Sequence, residues 1–111
     1  MDAELLAQLR RGTLEYCVLA LLRGGERYAG DVVVELGAEG VLVASQGTLY
    51  PLLSRLRRDG LVSSVLRESP SGPARRYYRL TARGRSAVAA FIEQWSPFRD
   101  AVDRVLSQEE T

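Results

Sequence analysis

Arginine is the only strong cation in this sequence: all fifteen basic residues are arginine, and lysine and histidine are absent. A guanidinium is planar, permanently charged and shaped to grip phosphates and guanine edges, so the chemistry on offer is anion recognition rather than proton transfer. Without histidine the chain lacks the commonest general base and the commonest zinc ligand, and its single cysteine, Cys17, cannot build a thiolate metal cluster. No Gly-rich phosphate loop is present either. An enzyme, a bound metal and a cofactor are therefore not expected. Cys17 lies inside the apolar run Leu14 to Leu22, where it is expected to pack, and no disulfide can form within one chain.

The net charge of +1 hides a segregation. Between Ser45 and Ala90 stand nine arginines (55, 57, 58, 67, 75, 76, 79, 83 and 85) against Asp59 and Glu68, a net of +7, while the remainder carries six arginines against twelve acids, a net of −6. Such a distribution focuses a positive field on one part of the molecule and keeps the rest away from a polyanion. It is the footprint of a nucleic-acid partner.

The basic region begins with Ser45 to Leu61. Leu49, Leu52, Leu53 and Leu56 recur at i, i+3, i+4 and i+7 and form one apolar helix face. Ser45 is expected to cap this helix and Gly60 to stop it, with Pro51 near enough to the start to be tolerated. The opposite face holds Gly47, Pro51, Ser54 and Arg58, flanked by Tyr50, Arg55 and Arg57. Short polar groups (Gln46, Gly47, Thr48) at the head and positive charge toward the end suit a helix that enters a DNA major groove. The alternative for this stretch alone is a core helix with a solvated arginine face.

The neighbouring elements must position that helix. Asp2 to Arg11 reads as a short amphipathic helix; Thr13 is expected to cap a strongly apolar helix running to about Arg23; Tyr28 to about Leu36 reads as a third, with Val41 to Ala44 a connector. A helix, a short connection and a second helix with an exposed polar face make a helix-turn-helix. Leu61 to Glu68 and Ala74 to Leu80 read as strands around the turn formers Ser69-Pro70-Ser71-Gly72-Pro73. Alternation puts Arg76, Tyr78 and Leu80 on one face of the second strand and Arg75, Tyr77 and Arg79 on the other, and the two arginines beside the turn are expected to reach a minor groove or phosphates. The expected fold is mainly α with a two-stranded β wing, a winged helix-turn-helix over residues 1–80 and a C-terminal dimerisation helix over 81–108 packed on it as one compact unit.

Thr81 is expected to cap that last helix. Val88, Phe91, Trp95, Phe98, Val102 and Val105 follow at alternating spacings of three and four, a coiled-coil seam that a single copy of so short a chain has little to cover, so a homodimer is expected. Pro97 is expected to kink the helix. No apolar run is long enough to cross a bilayer and the N-terminus lacks the layout of a signal peptide, so the expected setting is cytoplasmic without a membrane.

With Gly47-Thr48-Leu49-Tyr50-Pro51, Leu53, Arg55-Leu56, Asp59-Gly60-Leu61-Val62 and Arg75-Arg76-Tyr77-Tyr78-Arg79-Leu80-Thr81 with Gly84, the chain resembles the PadR family of bacterial transcriptional regulators; Gly12-Thr13-Leu14 and Leu21-Leu22 also fit. The resemblance covers nearly the whole chain and, with one C-terminal helix, points to the short subgroup. It implies a winged-helix homodimer on a pseudo-palindromic double-stranded DNA operator, usually a repressor released by a small molecule or another signal. In some short members an aromatic compound is sandwiched between two tryptophans at the dimer centre, and Trp95 falls at the matching position. That implies a planar aromatic effector beside Trp95, with Leu19 on the pocket wall and Glu15 attracting a cationic ligand; the other reading of Trp95 is an interface aromatic with no ligand. Departures are Pro97 and the apolar Leu19 and Leu22. Two rivals are a winged-helix module for protein contacts without DNA binding, and a MarR-like regulator, which usually has a longer chain.

Overall fold

A computed structural model describes residues 2–38, 40–42 and 46–109 and, for Gln46, the backbone. Among these residues five helices and three strands follow in the order α1 (Ala3–Arg10), α2 (Leu14–Leu21), β1 (Arg27–Tyr28), α3 (Ala29–Gly37), α4 (Gln46–Arg58), β2 (Val62–Ser69), β3 (Gly72–Leu80) and α5 (Ala82–Leu106). The core lies where the apolar faces of α2, α3 and α4 meet the base of the hairpin and the start of α5: Val18, Leu19, Leu22, Val32, Leu49, Leu53 and Leu56 are fully enclosed. The leucine face expected of α4 is thus the face it buries, with Leu52 half-covered at its edge. The molecule is mainly helical, with the hairpin as a wing.

The wing has a third strand that the sequence pattern did not reveal. In the antiparallel sheet, ordered β1-β3-β2, Arg27 and Tyr28 pair with Tyr78 and Tyr77. Tyr28 is therefore a strand residue, and α3 starts one residue later than its periodicity suggested. Two residues are too short for any alternation to register. In the hairpin, Val62 faces Leu80, Ser64 faces Tyr78 and Leu66 faces Arg76, with a bulge between Arg67 and Ser69 near the Pro70-Ser71 turn.

The expected stop at Gly60 and cap at Thr81 held, and the expected cap of α2 did not. Gly60, at φ +77°, ends α4: its N–H donates to the Arg57 carbonyl (3.1 Å) and the Leu61 N–H to the Leu56 carbonyl (3.0 Å), the paired bonds of a left-handed helix stop. Thr81 caps α5, its Oγ1 accepting from the Gly84 N–H at 3.0 Å and donating to the Gly60 carbonyl at 2.7 Å. Thr13 does not cap α2. At φ −108°, ψ −42° it is already helical, so its hydroxyl turns back and donates to the Leu9 carbonyl at 3.3 Å. Ser45, the expected cap of α4, lies outside the described residues.

α5 runs 25 residues as one helix through Pro97 and helps stretch the molecule to 63 Å along its longest axis. Its first half packs against α2. Val88 is only 1% exposed and belongs to the protomer's own core, which corrects its place in the expected dimer seam.

Candidate nucleic-acid interface

The outer surface of α4 is built by default. Burying Leu49, Leu53 and Leu56 at 0% exposure turns Gly47, Pro51 and Arg58 to solvent, and small residues there leave the first turns unobstructed. Thr48 and Tyr50 are exposed beside them; Ser54, expected outward, is half-buried. Of Gln46 only the backbone, as the first residue of α4, is described.

The three arginines ending α4 have different surroundings. Arg55 reaches back to Glu15 of α2, Nη2 to Oε2 at 3.0 Å. Arg57 lies on the wing side and its Nη1 donates to Ser64 Oγ at 3.4 Å. Arg58 makes no ion pair among the described residues.

Arg75 and Arg76 lie on opposite faces of β3, as alternation along the strand led us to expect. Arg76 shares its face with buried Tyr78 and Leu80, and its Nη1 donates to Ser64 Oγ at 2.8 Å, so Ser64 joins it to Arg57 across the angle between wing and helix. Arg75 lies on the other face with its guanidinium carbon 4.8 Å from the centre of the Tyr28 ring. Beside it Arg67 grips Glu26 (Nη1 to Oε1 2.7 Å, Nη2 to Oε2 3.0 Å) and lies 5.3 Å from the Tyr77 ring centre. Tyrosine faces and a carboxylate hold these two cations close to the sheet.

The other expected sites separate. Trp95 is 37% exposed and continues an aromatic row: Tyr16 and Phe91 stack at 4.3 Å, Phe91 and Trp95 stack at 5.7 Å, and Phe98 lies tilted to Trp95 at 6.4 Å. It borders an apolar cavity of about 480 Å³ with Leu6, Leu9, Tyr16, Cys17 and Ile92. Leu19 and Glu15 do not join it. Leu19 is sealed in the core at 0% exposure, and Glu15 points from α2 toward α4, because neighbouring residues on a helix diverge by about 100° and it is the next residue, Tyr16, that meets α5. Burial raises the Cys17 thiol pKa above its ordinary value, which favours the neutral packing form. Beyond Phe91 the seam residues Phe98, Val102 and Val105 are exposed. Sequence reasoning missed Ser64, the hub between Arg57 and Arg76, and Tyr28, the ring beneath Arg75; both depend on cross-strand neighbours.

Comparison with known proteins agrees with this geometry. A family model described as the transcriptional regulator PadR-like family matches residues 18–90. A transcriptional regulator of Mycobacterium tuberculosis is 37% identical over 83 residues, 75% of this chain and 76% of that protein. The crystal structure of a PadR family transcriptional regulator from Eggerthella lenta superposes with a TM-score of 0.80 at 34% identity, covering 96% of this chain and 93% of that one. The fold also matches Bacillus subtilis PadR, solved in complex with operator DNA, with a TM-score of 0.65 at 23% identity over 73% of this chain and 47% of that one.

Proposed function

This chain belongs to the PadR-like family of transcriptional regulators, and from that premise we propose that it binds a pseudo-palindromic operator as a homodimer, with α4 in the major groove and the wing against the backbone. The relatives it resembles are regulators rather than enzymes, and no described helix is long and apolar enough to cross a membrane. The observation that carries the reading is the outer face of α4: Gly47 and Pro51 leave it open, Arg58 ends it, and Arg55 and Arg57 flank it. Gly47 and Thr48 near the head meet base edges; Arg57 and Arg58, with Arg76 from the wing, meet phosphates. A module for protein contacts alone would carry an apolar patch there.

The second half of α5 supports the dimer. Phe98, Val102 and Val105 form an exposed stripe that a second copy covers about a two-fold axis. Trp95, at the start of that stripe, is the proposed contact for a planar aromatic effector; such a ligand lowers DNA affinity only as far as it prefers the arrangement that does not fit the operator. The protein then works in the cytoplasm as a repressor.

Selection of bound fragments from sheared genomic DNA, followed by footprinting, tests this. Fragments sharing an inverted repeat with half-sites about one helical turn apart, ~34 Å, are the expected outcome. Uniform recovery of all fragments would overturn it.

A further inference from the structure

We propose that the groove between α1 and α4 seats a DNA phosphate strand, with Arg11 as a backbone contact that neither the helix-turn-helix nor the wing supplies. The proposal rests on α4 being the helix that enters the major groove. That groove is about 12 Å wide and bordered by two sugar–phosphate strands, so an inserted helix has a strand along each flank. On the wing flank of α4 the strand meets Arg57 and Arg76, joined through Ser64. On the other flank stands the end of α1, drawn from the acidic remainder of the sequence.

There a groove of about 750 Å³ lies between the two helices, with Arg11, Arg55 and Arg58 among its lining and Ala7, Pro51 and Leu52 between them. Arg10 fixes the end of α1 in place: its Nε donates to the Val41 carbonyl at 2.7 Å and its Nη2 to the Gly40 carbonyl at 3.4 Å. Among the described residues Glu15 is the one acid lining the groove, and it is engaged by Arg55. Arg11 and Arg58 make no ion pair among the described residues, so none of those carboxylates must be displaced before they meet a phosphate. The groove also adjoins Thr48 and Pro51, which lie on the open side of α4, so a duplex engaged there passes over it.

The test is a salt titration of binding to a duplex from the fragment selection and to a duplex of unrelated sequence, for the parent and for Arg11→Ala, Arg57→Ala and Arg104→Ala. Arg104, in the last turn of α5, is the charge-matched control far along the chain. Loss of one phosphate contact lowers the slope of log affinity against log salt by about one, so Arg11→Ala should lose roughly 3.5-fold less affinity than the parent between 50 and 200 mM salt. The loss at low salt should be similar on both duplexes, since phosphates carry no base identity. Arg104→Ala should keep the parent slope. Glu15→Gln removes that carboxylate and should tighten binding to both duplexes. If Arg11→Ala matches Arg104→Ala while Arg57→Ala lowers the slope, the groove is not a phosphate seat although α4 still enters DNA. If Arg11→Ala and Arg57→Ala both keep the parent slope, both readings fall.

Discussion

The two halves of α5 share one helix and differ in everything that surrounds them. The first half is locked: Thr81 joins the helix to Gly60, Val88 is enclosed, and Gly84 presses on the Leu61 carbonyl so closely that an added Cβ would stand 2.0 Å from its oxygen. The second half leaves Phe98 64% and Leu106 77% exposed. Both halves carry apolar residues at helical spacing, so periodicity reports which face is apolar and not what covers it. The core formed by the helices, the wing and the start of α5 closes within one copy, while the second half of α5 carries an apolar stripe that one copy leaves uncovered.

The strongest way to break this contrast is Gly84→Ala. A methyl overlapping a backbone carbonyl cannot be relieved by a side-chain rotation, so the change should cost about 3 kcal/mol or more and lower Tm by roughly 10 °C or more, read by thermal unfolding. A Tm within a few degrees of the parent would show that the junction of α4 and α5 is loose. In the other half, Phe98→Asp should leave the protomer folded, because the side chain is already exposed, yet place a carboxylate in the proposed dimer seam. Sedimentation should show the dimer weakened on the order of 100-fold with Tm measured below the dissociation range little changed. An unchanged dimer would put the interface elsewhere.

Smaller changes sharpen the contrast. Thr81→Ala removes one cap bond and the link to Gly60 and should cost ~1–2 kcal/mol by denaturant unfolding. Arg58→Ala should do the reverse of Phe98→Asp, preserving stability and assembly while lowering the salt slope of DNA binding by about one. The mildest readout is Cys17. Burial holds its thiol neutral, so iodoacetamide should alkylate it more slowly at pH 8 than in the urea-unfolded chain, and equal rates would mean that α2 is open on that side.

Much of the fold was legible. The leucines of α4 declared a buried face, Gly60 a stop, Thr81 a cap and the Ser69 to Pro73 cluster a hairpin, because each signal is local and backed by one dominant force. The candidate site was legible only as a set of residue types. Arg55, Arg57 and Arg58 were visible as charge; that one answers to Glu15, one to Ser64 and one makes no ion pair among the described residues was not.

By itself, the sequence determined the elements, the apolar faces and the segregation of charge, since helical and strand periods and the sign of a side chain are properties of short stretches. Tertiary structure decided which groups meet. It paired the two residues of β1 with β3, set Arg75 over the Tyr28 ring and Arg76 on Ser64, enclosed Val88 and Leu19, and brought Arg11 from an acidic segment to the edge of α4. The physical reason is the same in each case: a contact between residues far apart in the chain is fixed by how whole faces pack, and no local pattern records the direction from which a neighbour arrives.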